Sequence, residues 1–228
     1  MKKLVLVSLI TAIAWSQSPV ATYYVGFLRP NPARTKLSKE EGERIQTAHM
    51  ANINKMADEG RLVSAGPFGD TPVTISGIFV MKAGSLEEAT RMANQDPTVV
   101  EHRNTMDVHQ WSGPAGIGDE YFRLHKADPK MPEGMGPHPL LLFYPGPNWK
   151  AGTPAVSESI TLLRKAGKLA AAGPVVEKDD LKALLIFNRI PPADAIAATA
   201  ELPAVKAGIL TPEHHVFYSA THVFPAQE

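Results

Sequence analysis

Apolar and polar positions along the chain fall into blocks whose period switches between two and about 3.6, and the switching runs through the same order twice. In the first pass, Tyr23 to Leu28 is an apolar, aromatic run that predicts a strand. Ser38-Lys39-Glu40-Glu41 then forms a capping box, with Ser38 as N-cap and Glu41 at its third position, opening a helix that closes at Gly60. A short strand leads into Gly66-Pro67, and Val73 to Met81 alternates as a strand does. Ser85-Leu86-Glu87-Glu88 opens a second helix that ends near Asn94, and a last strand runs from about Thr105 to Trp111.

The second pass predicts a strand over Pro139 to Tyr144, a helix over Val156 to Ala166, and strands near Leu169 and over Leu181 to Phe187. A helix near Ala193 to Thr199 and a strand from Glu213 to Thr221 complete it. The two passes share a phrase: Gly60-Arg61-Leu62 to Ala65-Gly66-Pro67 in one, Gly167-Lys168-Leu169 to Ala172-Gly173-Pro174 in the other, at identical spacing. Between them, residues 113–136 are rich in Gly, Pro, Met and charge and read as a linker. The fold class is therefore α+β: two ferredoxin-like βαββαβ units, residues 22–112 and 137–225, each an open four-stranded sheet with helices on one face. The bare sheet faces are expected to cover one another within the chain, as a pseudo-dimer with helices outside, the alternative being two independent domains on a tether.

Composition narrows the chemistry. Charge balances at 23 basic and 23 acidic residues, and no run of Lys or Arg extends beyond Lys2 and Lys3, so nucleic acid is not an expected partner. Without cysteine the chain has no thiolate nucleophile or disulfide, and chemistry falls to His, carboxylates and hydroxyls. Lys2 and Lys3, the apolar run Leu4 to Ala14 and the small-residue box Ala14-Trp15-Ser16 read as a signal peptide over residues 1–16. That run of about eleven residues is shorter than the roughly twenty that span a bilayer. The expectation is a secreted or periplasmic protein with no membrane span after cleavage.

One set of residues carries a family resemblance. His49 in the first helix, the Asp58-Glu59-Gly60-Arg61-Leu62 helix exit, the turn Gly66-Pro67-Phe68-Gly69-Asp70, Gly77, Ser85-Leu86-Glu87-Glu88-Ala89, Asp96-Pro97 and the closing Trp111 occur in this order over residues 22–112. In order and spacing the stretch resembles the YciI-like (YCII-related) proteins of the dimeric α+β barrel group. The resemblance implies a cavity between sheets and a His–Asp pair as acid–base machinery. One branch is associated with a dehydrochlorinase of chlorinated hydroxyhydroquinones, which fold alone does not transfer.

His49 is the first candidate: imidazole titrates near neutrality and serves as general acid or base, or else as a hydrogen-bonded structural group. Asp70, in a glycine-bounded turn, is the expected carboxylate partner that orients the ring, the alternative being a turn former. Asp96, before Pro97, is a third catalytic candidate whose local pattern also suits a helix cap. His102, His109, His214, His215 and His222 form no helical ligand pair and are expected at the surface or sheet edges, with His214 and His215 on opposite faces. Tyr23, Phe79 and Trp111 suit sheet packing. No Gly-x-Ser-x-Gly elbow and no phosphate-cradling loop are present, so no cofactor and no metal are expected.

In the second pass Val156 falls opposite His49, Glu177 opposite Asp70 and Leu202 opposite Asp96, so the fold signal persists while the acid–base groups mostly go. Two functions remain open at this level. One is an exported enzyme using His49 with Asp70 for lyase, isomerase or hydrolase chemistry on a small organic molecule, aromatic ones included. The other is a periplasmic small-molecule binding protein without catalysis. A third, an assembly protein, would need long exposed sheet edges. A monomeric pseudo-dimer and a homodimer both fit the pattern.

Overall fold

The computed structural model describes residues 19–132, 134–176 and 180–225. The signal segment and Glu177 lie outside the described residues. The element order is β1 (Val20–Pro30), α1 (Lys39–Asp58), β2 (Leu62–Pro67), β3 (Gly77–Met81), α2 (Leu86–Asn94), α3 (Pro97–Val100) and β4 (Asn104–Pro114). A helix α4 (Asp119–Ala127) follows, then β5 (Met135–Pro145), α5 (Ala155–Lys165), β6 (Leu169–Val176), β7 (Ala183–Phe187), α6 (Pro192–Ala200), α7 (Pro203–Lys206) and β8 (Leu210–Ala220).

The eight strands run in the order β2-β3-β1-β4-β6-β7-β5-β8. The halves join where Gln110 and Trp111 of β4 pair with Val176 and Val175 of β6. The far edges meet through a bridge from Phe68 to Phe217, which closes the sheet into a barrel. Both seams depend on the glycine of the shared Ala-Gly-Pro phrase. A Cβ on Gly66 would lie 1.8 Å from the Tyr218 carbonyl oxygen, and one on Gly173 would lie 1.6 Å from that of Ser112. Only a residue without a side chain lets the strands pass that closely.

Alternation along each strand sorts side chains into two layers. Tyr23, Val25 and Phe27 of β1 fill the barrel with Trp111, Leu140, Leu142, Leu184, Ile186 and Phe217. Tyr24 and Leu28 face outward, where Phe79 and Met81 meet Met56 of α1 and Met92 of α2. The second half repeats this outer layer with Leu141, Phe143, Leu185 and Phe187 beneath Leu163, Ala195 and Leu202. Helices lie outside, as the pattern predicts.

Two stretches differ from expectation. The strand expected from Val73 begins at Gly77; residues 70–76 are a turn that leans on β8, where the Gly69 N–H donates to the Val216 carbonyl (2.9 Å). The connection at 113–136 also carries α4, whose Tyr121 and Phe122 pack on the barrel interior beside the fully buried Ile117. Among the described residues no helix is long and apolar enough to cross a membrane.

Candidate active site

The helix α1 starts where its capping box requires: the Glu41 N–H donates to Ser38 Oγ, and the Ser38 N–H to the Glu41 carboxylate. Its buried positions are Ile45 and Met56. Residues 45, 49, 52, 53 and 56 share one stripe, so His49 and Asn52 turn toward the sheet. Below them Asp96 caps α3, with Pro97 at the first helical position. One carboxylate oxygen accepts the Thr98 N–H at 3.0 Å and the Thr98 hydroxyl at 2.6 Å. The other lies 2.7 Å from His49 Nδ1 and accepts from the Asn52 amide at 3.1 Å.

Asp96 is wholly buried, yet its carboxylate holds four hydrogen bonds from three residues. Burial pushes this carboxyl up, but the hydrogen bonds from His49 and Thr98 and the adjacent imidazole outweigh burial and hold it below its ordinary value. An ionised carboxylate only accepts, so the hydrogen bond between the two is donated by His49 Nδ1–H, and Nε2 is turned away from Asp96. The ring lies nearly parallel to Phe79, 6.0 Å between centroids and 12° between planes. His49 also lines a cleft of about 460 Å³ that runs from α1 along β2 and β3 to Tyr121 and Phe122 of α4. Its walls include Leu28, Met50, Ile53 and Phe79, with Ser64, Ser76 and Asn104 as neutral polar groups, and among the described residues no Asp, Glu, Lys or Arg lines it. The Ser64 hydroxyl is buried without a partner.

The model of the YCII-related domain matches residues 22–112. The YjpA protein of Bacillus subtilis (strain 168) is 30% identical over 73 residues, which are 30% of this chain and 82% of that protein. This chain belongs to the YCII-related family. The YCII-related region holds His49, Asp96, Asn52 and Thr98 together. At the level of fold, the chain resembles a chlorite dismutase from Candidatus Nitrospira defluvii, with a TM-score of 0.55 at 9% identity over 89% of this chain and 92% of that one. A second solved structure, that of the protein TA0507, gives 0.51 at 10% identity, over 88% and 94%. These likenesses establish the dimeric α+β barrel fold.

The pairing expected between His49 and Asp70 is not the one the structure holds: Asp96 takes that place, 2.7 Å from His49 Nδ1. Asp70 turns to the other half, its Oδ2 2.6 Å from His215 Nδ1 and its Oδ1 accepting the Val216 N–H at 3.0 Å. The Glu213 carboxylate closes on the other ring nitrogen of His215 at 2.7 Å. Asp70 thus fastens the turn of one half to the last strand of the other, across a separation of 145 residues. The histidines expected at surfaces are also redistributed, for His109 and His215 are buried facing the barrel, as is His138. His109 Nε2 lies 3.0 Å from Asp107.

Asn52, Thr98 and Phe79 are site residues that sequence reasoning missed or assigned to packing. The Asp-Pro-Thr cap and the His49–Asn52 spacing were local signals for the first two.

Proposed function

We propose that the His49–Asp96 pair performs general acid–base chemistry on a small uncharged organic molecule held in the adjoining cleft. The observation that carries this is the buried, ionised Asp96 holding His49 by Nδ1 and leaving Nε2 as the exchanging nitrogen at the cleft wall. The apolar walls and neutral polar groups suit an aromatic or carbonyl compound, and proton transfer from or to carbon or oxygen covers lyase, isomerase and hydrolase types. The N-terminal pattern of two lysines, an apolar run and a small-residue box supports action outside the cytoplasm.

The second reading is ligand binding without turnover, favoured by the scarcity of further ionisable groups: among the described residues the cleft wall carries Tyr121 besides His49 and no other. A panel of small neutral aromatics and carbonyl compounds, followed for elimination products and for uptake of solvent deuterium, separates the two. Proton transfer is expected to fall about 100-fold or more in His49→Gln while ligand affinity stays within about threefold. Turnover unchanged in that variant overturns the acid–base assignment, and binding without exchange for every compound favours the second reading.

A further inference from the structure

Strands of equal length give a residue-by-residue correspondence between the halves. β1 and β5 are both 11 residues, β3 and β7 both 5, and β4 and β8 both 11. Tyr23 then corresponds to His138, in agreement with their facing partners Trp111 and Phe217. Just past the strand ends, Ala83 corresponds to Arg189, and Gly116 to His222. The second half has lost the equivalents of His49 and Asp96, but at one end of the barrel it carries three nitrogen-rich side chains where the first half has a phenol, a methyl group and a hydrogen.

These three line a cavity of about 360 Å³ together with Asn188 and Thr221. The His138 Nδ1–H donates to the Phe187 carbonyl at 2.7 Å, which leaves Nε2 to accept from Arg189 Nε at 3.3 Å. Burial, together with the nearby Arg189 charge, lowers the pKa of His138 and keeps its ring neutral in that role, against the opposing effect of the Phe187 bond. A second guanidinium nitrogen reaches the Ser219 carbonyl at 3.5 Å. The fork is thus oriented from one side, while among the described residues no carboxylate pairs with it and none lines the cavity. Glu120, the carboxylate whose charge is felt by His222, is itself clamped by Arg123 through two contacts of 2.7 Å.

Backbone conformation is an independent sign. His222 sits at φ 63°, in the left-handed region, at the position where Gly116 adopts φ 88° in the first half. A side chain there is less favoured than glycine, and His222 holds it at the cavity wall. We propose that this cavity binds a small oxyanion, the carboxylate or phosphate of a small molecule, with Arg189 as its bidentate partner and His222 as a second donor. The planar fork matches both anions.

The test uses the full chain labelled for histidine ring signals, titrated with acetate, inorganic phosphate and, as the neutral isostere, acetamide. Saturable shifts of the His138 and His222 signals with acetate or phosphate, half-complete at or below about 10 mM and absent with acetamide, are the expected result. The tighter of the two anions identifies the carboxylate or the phosphate as the natural group. Arg189→Gln should weaken binding about tenfold with His49 signals unmoved. His222→Gly should also weaken it while leaving the melting temperature equal or higher, since the strain is relieved. No saturable shift, an equal response to acetamide, or full binding in Arg189→Gln overturns the proposal.

Discussion

The space beneath α1 and the space beneath α5 have the same backbone and opposite contents. Under α1, Asp96 caps a short helix and gathers His49, Asn52 and Thr98 around one buried carboxylate. Under α5 the corresponding positions are Leu202, Val156, Ser159 and Ala204, and Leu202 caps α7 without any side-chain hydrogen bond. Phe79, against which His49 stacks, is replaced by Leu185. The shared fold therefore does not need the polar network: seams, caps and barrel core hold either way. A buried carboxylate holding four hydrogen bonds at a place where apolar packing suffices is what the proposed acid–base role calls for, since apolar replacement of such networks is commonly neutral or stabilising.

The sharpest way to break this contrast is to put the carboxylate where its partners are missing. Leu202→Asp leaves a charge among Ala204, Leu163 and Ile160 and is expected to cost about 4 kcal/mol at neutral pH by urea unfolding. A cost below about 1 kcal/mol would mean that the second half still supplies hidden partners.

Next in size is Asp70→Asn, which removes the charged acceptor for His215 and weakens the hold on Val216 across the Phe68–Phe217 seam. About 2 kcal/mol of stability is expected to go, with proton transfer at His49 kept within about threefold. A loss of chemistry that exceeds the loss of folded protein would return Asp70 to the catalytic site.

The smallest effect is the acid dependence of Asp96. Its carboxyl titrates below the ordinary value in the folded protein, so its contribution is fully present above about pH 4 and is lost as pH falls through the folded value. The stability gap between the parent and Asp96→Asn should therefore be widest above about pH 4 and narrow below it. A gap that widens in acid would reverse the sign and remove the case for an ionised Asp96.

Local chemistry was legible in the sequence, and contacts between distant residues were not. The Ser38–Glu41 box and the Ser85 cap mark two helix starts within one residue, because each signal lies inside four consecutive residues. The Ala-Gly-Pro phrases marked the internal correspondence, although their task, letting edge strands cross at Gly66 and Gly173, appears only once the barrel closes. His49 and Asp96 were both visible as candidates, but 47 residues separate them, and nothing local favours Asp96 over Asp70 as the partner. The start of β3 was misplaced for a related reason. Val73 and its neighbours alternate like a strand, yet the turn they occupy is held by Val216 and His215 of the other half.

The central claim is that buried Asp96 fixes the His49 proton on Nδ1 and frees Nε2 for exchange at the cleft. The most direct test is the nitrogen-15 spectrum of the His49 ring in the neutral form, in the parent protein and in Asp96→Asn. The account predicts a protonated Nδ1 and a bare Nε2 in the parent, with that preference weakened or reversed in the variant. A parent ring that carries its proton on Nε2, or an Asp96→Asn spectrum indistinguishable from the parent's, would contradict it.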